Sequence, residues 1–263
     1  MSDTILDKIV ATKRSEIAAL YAQCSLSEME QRCQVVPAPL DFVAPLRLPG
    51  NIRLIAEVKK ASPSKGLIRA DFEPVTIAQQ YESAGASCLS VLTDRHYFQG
   101  ELSYLAAIRK AVNIPLLRKD FILDPIQIAE ARSVGADAVL LIAECLSPSE
   151  LKSLFQYTRS LGMQALIELY DPANLSAVLD TGAELIGVNN RDLRTFEVDL
   201  MHVIRVKEQI PPGRVVVAES GIYHVHEAKM LYEHGVSAML VGESLMRQPD
   251  VVIATKRLLG SID

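Results

Sequence analysis

Two lysines and three glutamates stand at or near the polar ends of apolar runs: Glu57 and Lys59 in RLIAEVK (53–59), Lys119 in PLLRKDF (115–121), Glu168 in MQALIEL (163–169) and Glu219 in VVVAES (215–220). A buried strand has no structural use for such residues. Unpaired charges are costly to bury, so the five should pair and titrate as one coupled set. Ammonium and carboxylate groups held together in this way supply proton transfer and stabilisation of developing charge. A salt-bridge network that merely caps a fold is the competing reading. Five charges on four run ends weigh against it, because such clusters are expensive unless used. Asn189 and Arg191 close a further run, ELIGVNNR (184–191). ESG (219–221) and GES (242–244) place Ser220, Gly221, Gly242 and Glu243 where backbone N–H groups can face an anion. Tight turns without a ligand are the alternative there.

These residues converge only if the runs are neighbouring strands. Eight runs, completed by CLSVLTD (88–94), AVLLIAE (138–144) and AMLVGES (238–244), alternate with helical stretches after about residue 50. Residues two apart share a strand face, so Ile55, Glu57 and Lys59 point one way. Leu117, Lys119 and Phe121 do likewise, as do Leu166 with Glu168 and Val217 with Glu219. Helix–Gly–small–strand junctions recur at Gly85, Gly135, Gly182 and Gly235, each where a helix C′ residue needs positive φ. Their interval of about fifty residues covers two βα units and supports four βαβα quarters. The expected fold is α/β, a (β/α)8 TIM barrel with its active site at the C-terminal strand ends. An open doubly wound sheet is the weaker alternative, since no GxGxxG turn is present.

The expected organisation is an N-terminal helical extension over 1–50, packed on a catalytic barrel over 51–263 that is complete without it. Thr4 or Asp3 caps a first helix, and Ser25 with Glu28 has capping-box spacing for a second. Two βα loops, 59–71 and 190–199, are longer than the usual connection. The first, with Ser62 through Gly66, reads as a mobile lid carrying positive charge.

The chain has 263 residues, 49% hydrophobic, with a formal charge of −5. No block of like charges is present, which argues against nucleic acid or an anionic membrane as partner. No apolar stretch suits a signal peptide or a membrane span. Cys24, Cys33, Cys88 and Cys145 show no CxxC spacing, as expected of reduced thiols in a cytoplasmic protein. His224 and His226, two apart early in a helix, should not share a face, so no metal site is expected.

The segments IAEVKKASPSKG, LLRKDF, ALIELY, IGVNNRDL, VAESGI and LVGESLM resemble, in order and spacing, the signatures of indole-3-glycerol-phosphate synthase. The resemblance covers the whole chain, extension included. It implies ring closure, decarboxylation and dehydration of 1-(2-carboxyphenylamino)-1-deoxyribulose 5-phosphate in tryptophan biosynthesis, with no metal and no organic cofactor. It also implies roles. Lys119 is the general acid, and Glu168 is the base or cation stabiliser. Lys59 binds the substrate carboxylate or phosphate, Glu57 orients the lysines, and Asn189 and Glu219 meet substrate hydroxyls. Ser62, Ser220, Gly221, Gly242 and Glu243 match the phosphate-binding positions, and Phe98, Phe121 and Leu193 the walls around the anthranilate ring. Arg191 joins the substrate-binding set. The extension is expected near the mouth, helping to cover substrate.

Condensation onto a ketone needs a proton donor, and a lysine whose pKa is lowered by a neighbouring lysine would suit. Glu243 stands where some relatives have serine; its carboxylate would repel a phosphate, so only its N–H is expected to bind. A phosphate-binding isomerase barrel would need a Cys and an Asp instead, and a non-catalytic metabolite-binding barrel would lack a lysine or glutamate of the set. The expected partner is a small phosphorylated substrate, and the chain a monomer or weak homo-oligomer.

Overall fold

A computed structural model describes residues 4–192 and 195–262. Its centre is a closed barrel of eight parallel strands in chain order. They are β1 (Arg53–Val58), β2 (Cys88–Leu92), β3 (Leu116–Lys119), β4 (Ala138–Ile142), β5 (Gln164–Leu169), β6 (Leu185–Asn189), β7 (Val215–Glu219) and β8 (Ala238–Val241). Closure is made by β1 against β8, with Ile55 opposite Leu240. Apart from the half-buried first residues of β1 and β5 and the last of β3, the strand residues are buried, as near-continuous apolar runs require when helices cover the outside. Gly85, Gly135, Gly182 and Gly235 all have positive φ, between +75° and +99°. That conformation ends each preceding helix and turns the chain into its strand.

Alternation divides each strand between two cores. Outward residues such as Leu54, Leu89, Val139 and Ile167 pack under the helices. Inward residues, among them Ile55, Leu117, Leu140, Leu166, Val217 and Leu240, fill the barrel. Phe42, Val43 and Leu46 belong to that inner core, with Phe42 wholly buried. The eight strands are complete in themselves, but their N-terminal end is closed by this preceding segment. Gln164 Oε1 accepts from the Phe42 amide at 2.9 Å, and Asp41 accepts from Val43 and Ala44. Sequence alternation starts only at β1, so it gave no sign of the plug.

Helices α1 (Ile5–Gln23) and α2 (Leu26–Cys33) precede it. Both begin with capping boxes, Thr4 with Asp7 and Ser25 with Glu28. Met29 and Cys33 of α2 bury against Ile126 and Ala129 of the helix Pro125–Ser133. From α1, Ile9 and Lys13 are buried. The long first loop is partly ordered as a hairpin, Ala61–Ser62 pairing antiparallel with Gly66–Leu67. Among the described residues no helix is long and apolar enough to cross a membrane.

Candidate active site

The C-terminal mouth of the barrel holds a cavity of about 200 Å³. Lys119, the last residue of β3, reaches its centre. Its Nζ lies 2.6 Å from Glu168 Oε2 of β5 and 2.8 Å from Glu219 Oε2 of β7. Asn189 Nδ2, ending β6, donates to the other Glu168 oxygen at 3.0 Å. On β1, Lys59 pairs with Glu57 at 2.5 Å. The inward positions of β1, β3, β5 and β7 thus bring both lysines and all three glutamates to one place.

The electrostatics differ from the sequence expectation in one respect. Lys59 is engaged by Glu57, so no second lysine lowers the pKa of Lys119. Burial alone would lower it, but attraction to Glu168, Glu219 and Glu57 outweighs burial, and the group is held above the ordinary lysine value. The two carboxylates beside it titrate as a pair. Burial and the charge of Glu168 push Glu219 up to about 8. Burial also opposes ionisation of Glu168, yet Lys119 and the Asn189 amide overcome it and hold that carboxyl below its usual range. The pair therefore holds a proton to higher pH than two free carboxyls would, with Glu219 the more readily protonated partner. The remaining oxygen, Glu219 Oε1, is buried without a hydrogen-bond partner among the described residues.

Two glycines seat these carboxylates. A Cβ on Gly187 would lie 2.3 Å from Glu219 Oε1, and one on Gly242 would lie 2.3 Å from Glu57 Oε2. Neither glycine has a left-handed backbone, so both are needed for space. For Gly242 this changes the expected reason. The turn needs glycine first to admit Glu57, whatever anion its N–H meets.

On one side of the lysines lies an apolar wall. The rings of Phe98 and Phe121 are 6.1 Å apart, and Ile5, Leu6 and Ile9 of α1 extend the wall. On the other side are the turns after β7 and β8. Ser220 has φ +69° and Gly221 +79°, a left-handed pair that an ordinary connection does not need. A Cβ at Gly221 would strike Val198 at 2.3 Å, so the loop after β6 lies close over this turn. Asn190 donates to the Ser220 carbonyl at 3.2 Å, and Ser244 to that of Ile222 at 2.8 Å, joining the two turns. Glu243 turns its carboxylate to Arg247 at 3.0 Å, leaving its N–H as the group able to face an anion.

Ser62 lines the cavity from the hairpin loop, and Arg191 from the loop after β6. Arg191 donates from its amide to Asn189 Oδ1 and from its guanidinium to the Phe196 carbonyl. Leu193 lies outside the described residues. Every other catalytic or substrate-binding candidate from the sequence lines this one cavity.

Sequence reasoning passed over the α1 side chains, Phe196 and Tyr223, which also line it. It also passed over Gly187, where a glycine inside a strand was the available signal of close approach. His224 and His226 do meet, their rings stacked 5.5 Å apart, because His224 is the extended N-cap rather than a helical residue. Among the described residues no group of three His, Cys, Asp or Glu has the geometry to hold a metal ion.

Comparison with known proteins identifies the family. A family model described as indole-3-glycerol phosphate synthase matches residues 6–258. The protein of that name from Rhodopirellula baltica is 55% identical over 258 residues, covering 98% of this chain and all of the relative. The one from Geobacillus kaustophilus is 48% identical over 261 residues, with 98% of each chain covered. Among solved structures, a 3-hexulose-6-phosphate synthase superposes with a TM-score of 0.65 at 14% identity, over 81% of this chain and all of that one. That likeness concerns the fold alone. The chain belongs to the indole-3-glycerol phosphate synthase family.

Proposed function

We propose that the protein converts 1-(2-carboxyphenylamino)-1-deoxyribulose 5-phosphate to indole-3-glycerol phosphate, carbon dioxide and water, a step of tryptophan biosynthesis. Family membership supports the reaction. The observation that carries the residue assignment is Lys119 bracketed by Glu168 and Glu219, between an aromatic wall and two glycine-serine turns. The anthranilate ring lies against Phe98 and Phe121, with Leu193 assigned to the same wall by resemblance. The phosphate meets the N–H groups of Ser220, Gly221, Gly242 and Glu243, with Ser62 and Arg191 closing over the substrate.

In this reading the ring carbon bearing the carboxylate attacks the ketone carbon, and Lys119 gives its proton to the ketone oxygen. A lysine held this firmly charged is a weak acid toward water. It is strong enough toward an alkoxide, which is far more basic than an amine, so transfer is favourable as negative charge develops. The positive charge left on the anilino nitrogen and ring faces Glu168, whose ionised state suits it. Loss of carbon dioxide returns the bonding electrons and quenches that cation. Loss of hydroxide as water, protonated by a lysine, and transfer of one proton from the adjoining carbon to the Glu168 carboxylate then complete the indole.

Lys59, oriented by Glu57, binds the substrate carboxylate and assists dehydration. Asn189 and the unpartnered Glu219 Oε1 receive substrate hydroxyls. The test is turnover of this substrate by the purified chain. Indole formation with one carbon dioxide per product supports the proposal. No conversion refutes it, and isomerisation of phosphoribosylanthranilate without carbon dioxide points to the rival barrel.

A further inference from the structure

A buried charge cluster that the reaction does not use lies in the seam between α1 and the barrel. Lys13 Nζ lies 2.7 Å from Glu16, 2.8 Å from Asp94 Oδ2 and 2.9 Å from Asp120 Oδ1. Lys13 is 2% exposed, Asp94 0% and Asp120 2%. Lys13 donates a hydrogen bond to Glu16 and faces Asp94 and Asp120 as ion pairs. Asp94 Oδ2 accepts no hydrogen bond among the described residues, so the charge of Lys13 is what offsets it. The cation is fixed: burial would lower its pKa, but Asp120 and Asp94 raise it above the ordinary lysine value.

The two aspartates follow β2 and β3, and each has a second task. Asp94 Oδ1 accepts from the amides of Tyr97 and Phe98, capping the short helix Arg95–Phe98. Asp120 Oδ1 accepts from the amide of Phe121, and its Oδ2 from Thr93 and Arg118. One ammonium therefore holds the two carboxylates that hold the backbones of Phe98 and Phe121. Thr12, beside Lys13, ties the same short helix through Tyr97 at 3.0 Å. Asp120 is also the residue next to Lys119.

We propose that Lys13 is a positioning residue for the aromatic wall. It touches no substrate. Its charge locks the two loops that carry Phe98 and Phe121, and so sets the substrate ring against Lys119. The proposal rests on the function proposed above. Without Lys13, Asp94 is left as a buried, unpaired charge, which is strongly unfavourable. Asp94 then shifts toward water, taking Phe98 with it, while Asp120 keeps Arg118 and Thr93 but loses its second cation, which loosens Phe121 less. The turns after β7 and β8 stand on other strands and stay as they are.

The experiment is steady-state kinetics of the full chain as wild type, Lys13→Met and Lys13→Arg, below each melting temperature and normalised to folded protein. Inorganic phosphate is measured alongside as a competitive inhibitor. Lys13→Met should raise KM for the carboxyphenylamino substrate about tenfold, part of the roughly hundredfold loss that a 1 Å misplacement can cause. The inhibition constant of phosphate should stay within about twofold, since the anion turns are untouched. Lys13→Arg, which keeps the charge, should recover most of the KM. If Lys13→Met does not fold, Lys13→Met with Asp94→Asn takes its place. It removes the unpaired charge and keeps the Oδ1 cap but still leaves both loops untied from α1, so it should show a smaller KM rise, about threefold, with the phosphate constant unchanged.

A lowered melting temperature with unchanged KM and kcat would make Lys13 merely structural and overturn the proposal. So would KM and the phosphate constant rising together, the mark of general loosening. A wild-type chain that does not turn over substrate sinks the functional reading and this proposal with it. Wild-type turnover with unaltered Lys13 variants sinks this proposal alone.

Discussion

Gly187→Ala adds one methyl group to the inner face of β6 and should disable the site while leaving the fold standing. The backbone at Gly187 is not left-handed, so alanine is conformationally acceptable there. The added Cβ would lie 2.3 Å from Glu219 Oε1 and 3.2 Å from Leu166 Cδ1. Carbon and oxygen at ordinary contact need roughly 1 Å more than the shorter of these. Glu219 is 3% exposed and cannot retreat into solvent. Its carboxylate must swing, and the swing acts on the 2.8 Å contact with Lys119. Overpacking of this kind costs about 1–3 kcal/mol of stability. The functional loss is larger, since a 1 Å error in a catalytic group costs about a hundredfold in rate.

The expected result is kcat down by about thirty- to a hundredfold with cooperative unfolding retained. The control is Glu219→Ala, which removes the obstructing carboxylate. Residues in direct contact give non-additive effects, so Gly187→Ala in that background should cost less than about threefold more. Steady-state kinetics on the four proteins of this cycle gives the answer. Gly187→Ala within threefold of wild type, or effects that simply add, would refute the claim that the glycine exists to seat Glu219.

Other consequences follow from the same geometry. The raised Glu219 group predicts a fall in kcat/KM above about pH 8, because its ionisation puts a further negative charge beside Lys119 and makes that acid hold its proton harder. Glu219→Gln should abolish that limb. A carboxyl whose folded value lies above its ordinary one costs increasing stability as pH rises between the two, so Glu219→Gln should gain on wild type in melting temperature from about pH 5 to about pH 8. Phe42→Ala, at the wholly buried barrel base, should lower unfolding free energy by about 3–5 kcal/mol in a denaturant titration and leave kcat of the folded enzyme unchanged. Inorganic phosphate should compete with substrate, and Gly221→Val, which drives Val198 and its loop off the turn, should weaken that competition about tenfold or more by inhibition kinetics.

Much of this site was legible because strands alternate. Glu57, Lys119, Glu168 and Glu219 sit in register with apolar inward residues, so a closed barrel had to bring them together. The positive-φ glycines before the strands were legible for a local reason, helix termination. What could not be read depends on contacts between distant segments. Which lysine pairs with which glutamate is set by strand stagger, and it reversed the expected direction of the Lys119 pKa. Phe42 and Leu46 lie outside any strand, so no periodicity announces that they fill the barrel base. Lys13 did leave a trace, since it stands between Ile9 and Ile17 at helical spacing on the buried stripe of α1. A lysine on an apolar face signals a buried partner, but the partners, Asp94 and Asp120, are known only once the helix is docked.

The central claim is that Lys119 delivers the proton on which ring closure depends, and product fluorescence tests it most directly. The chain has no tryptophan, so an indole product emits above a low protein background. Wild type and Lys119→Met, each confirmed as folded and saturated with substrate, are followed at matched concentration. Indole emission should rise with carbon dioxide release in wild type. In Lys119→Met the rate should fall by about 10²–10⁴, the usual share of general acid catalysis. A variant that turns over within about threefold of wild type would contradict it, because loss of the general acid should cost about a hundredfold or more.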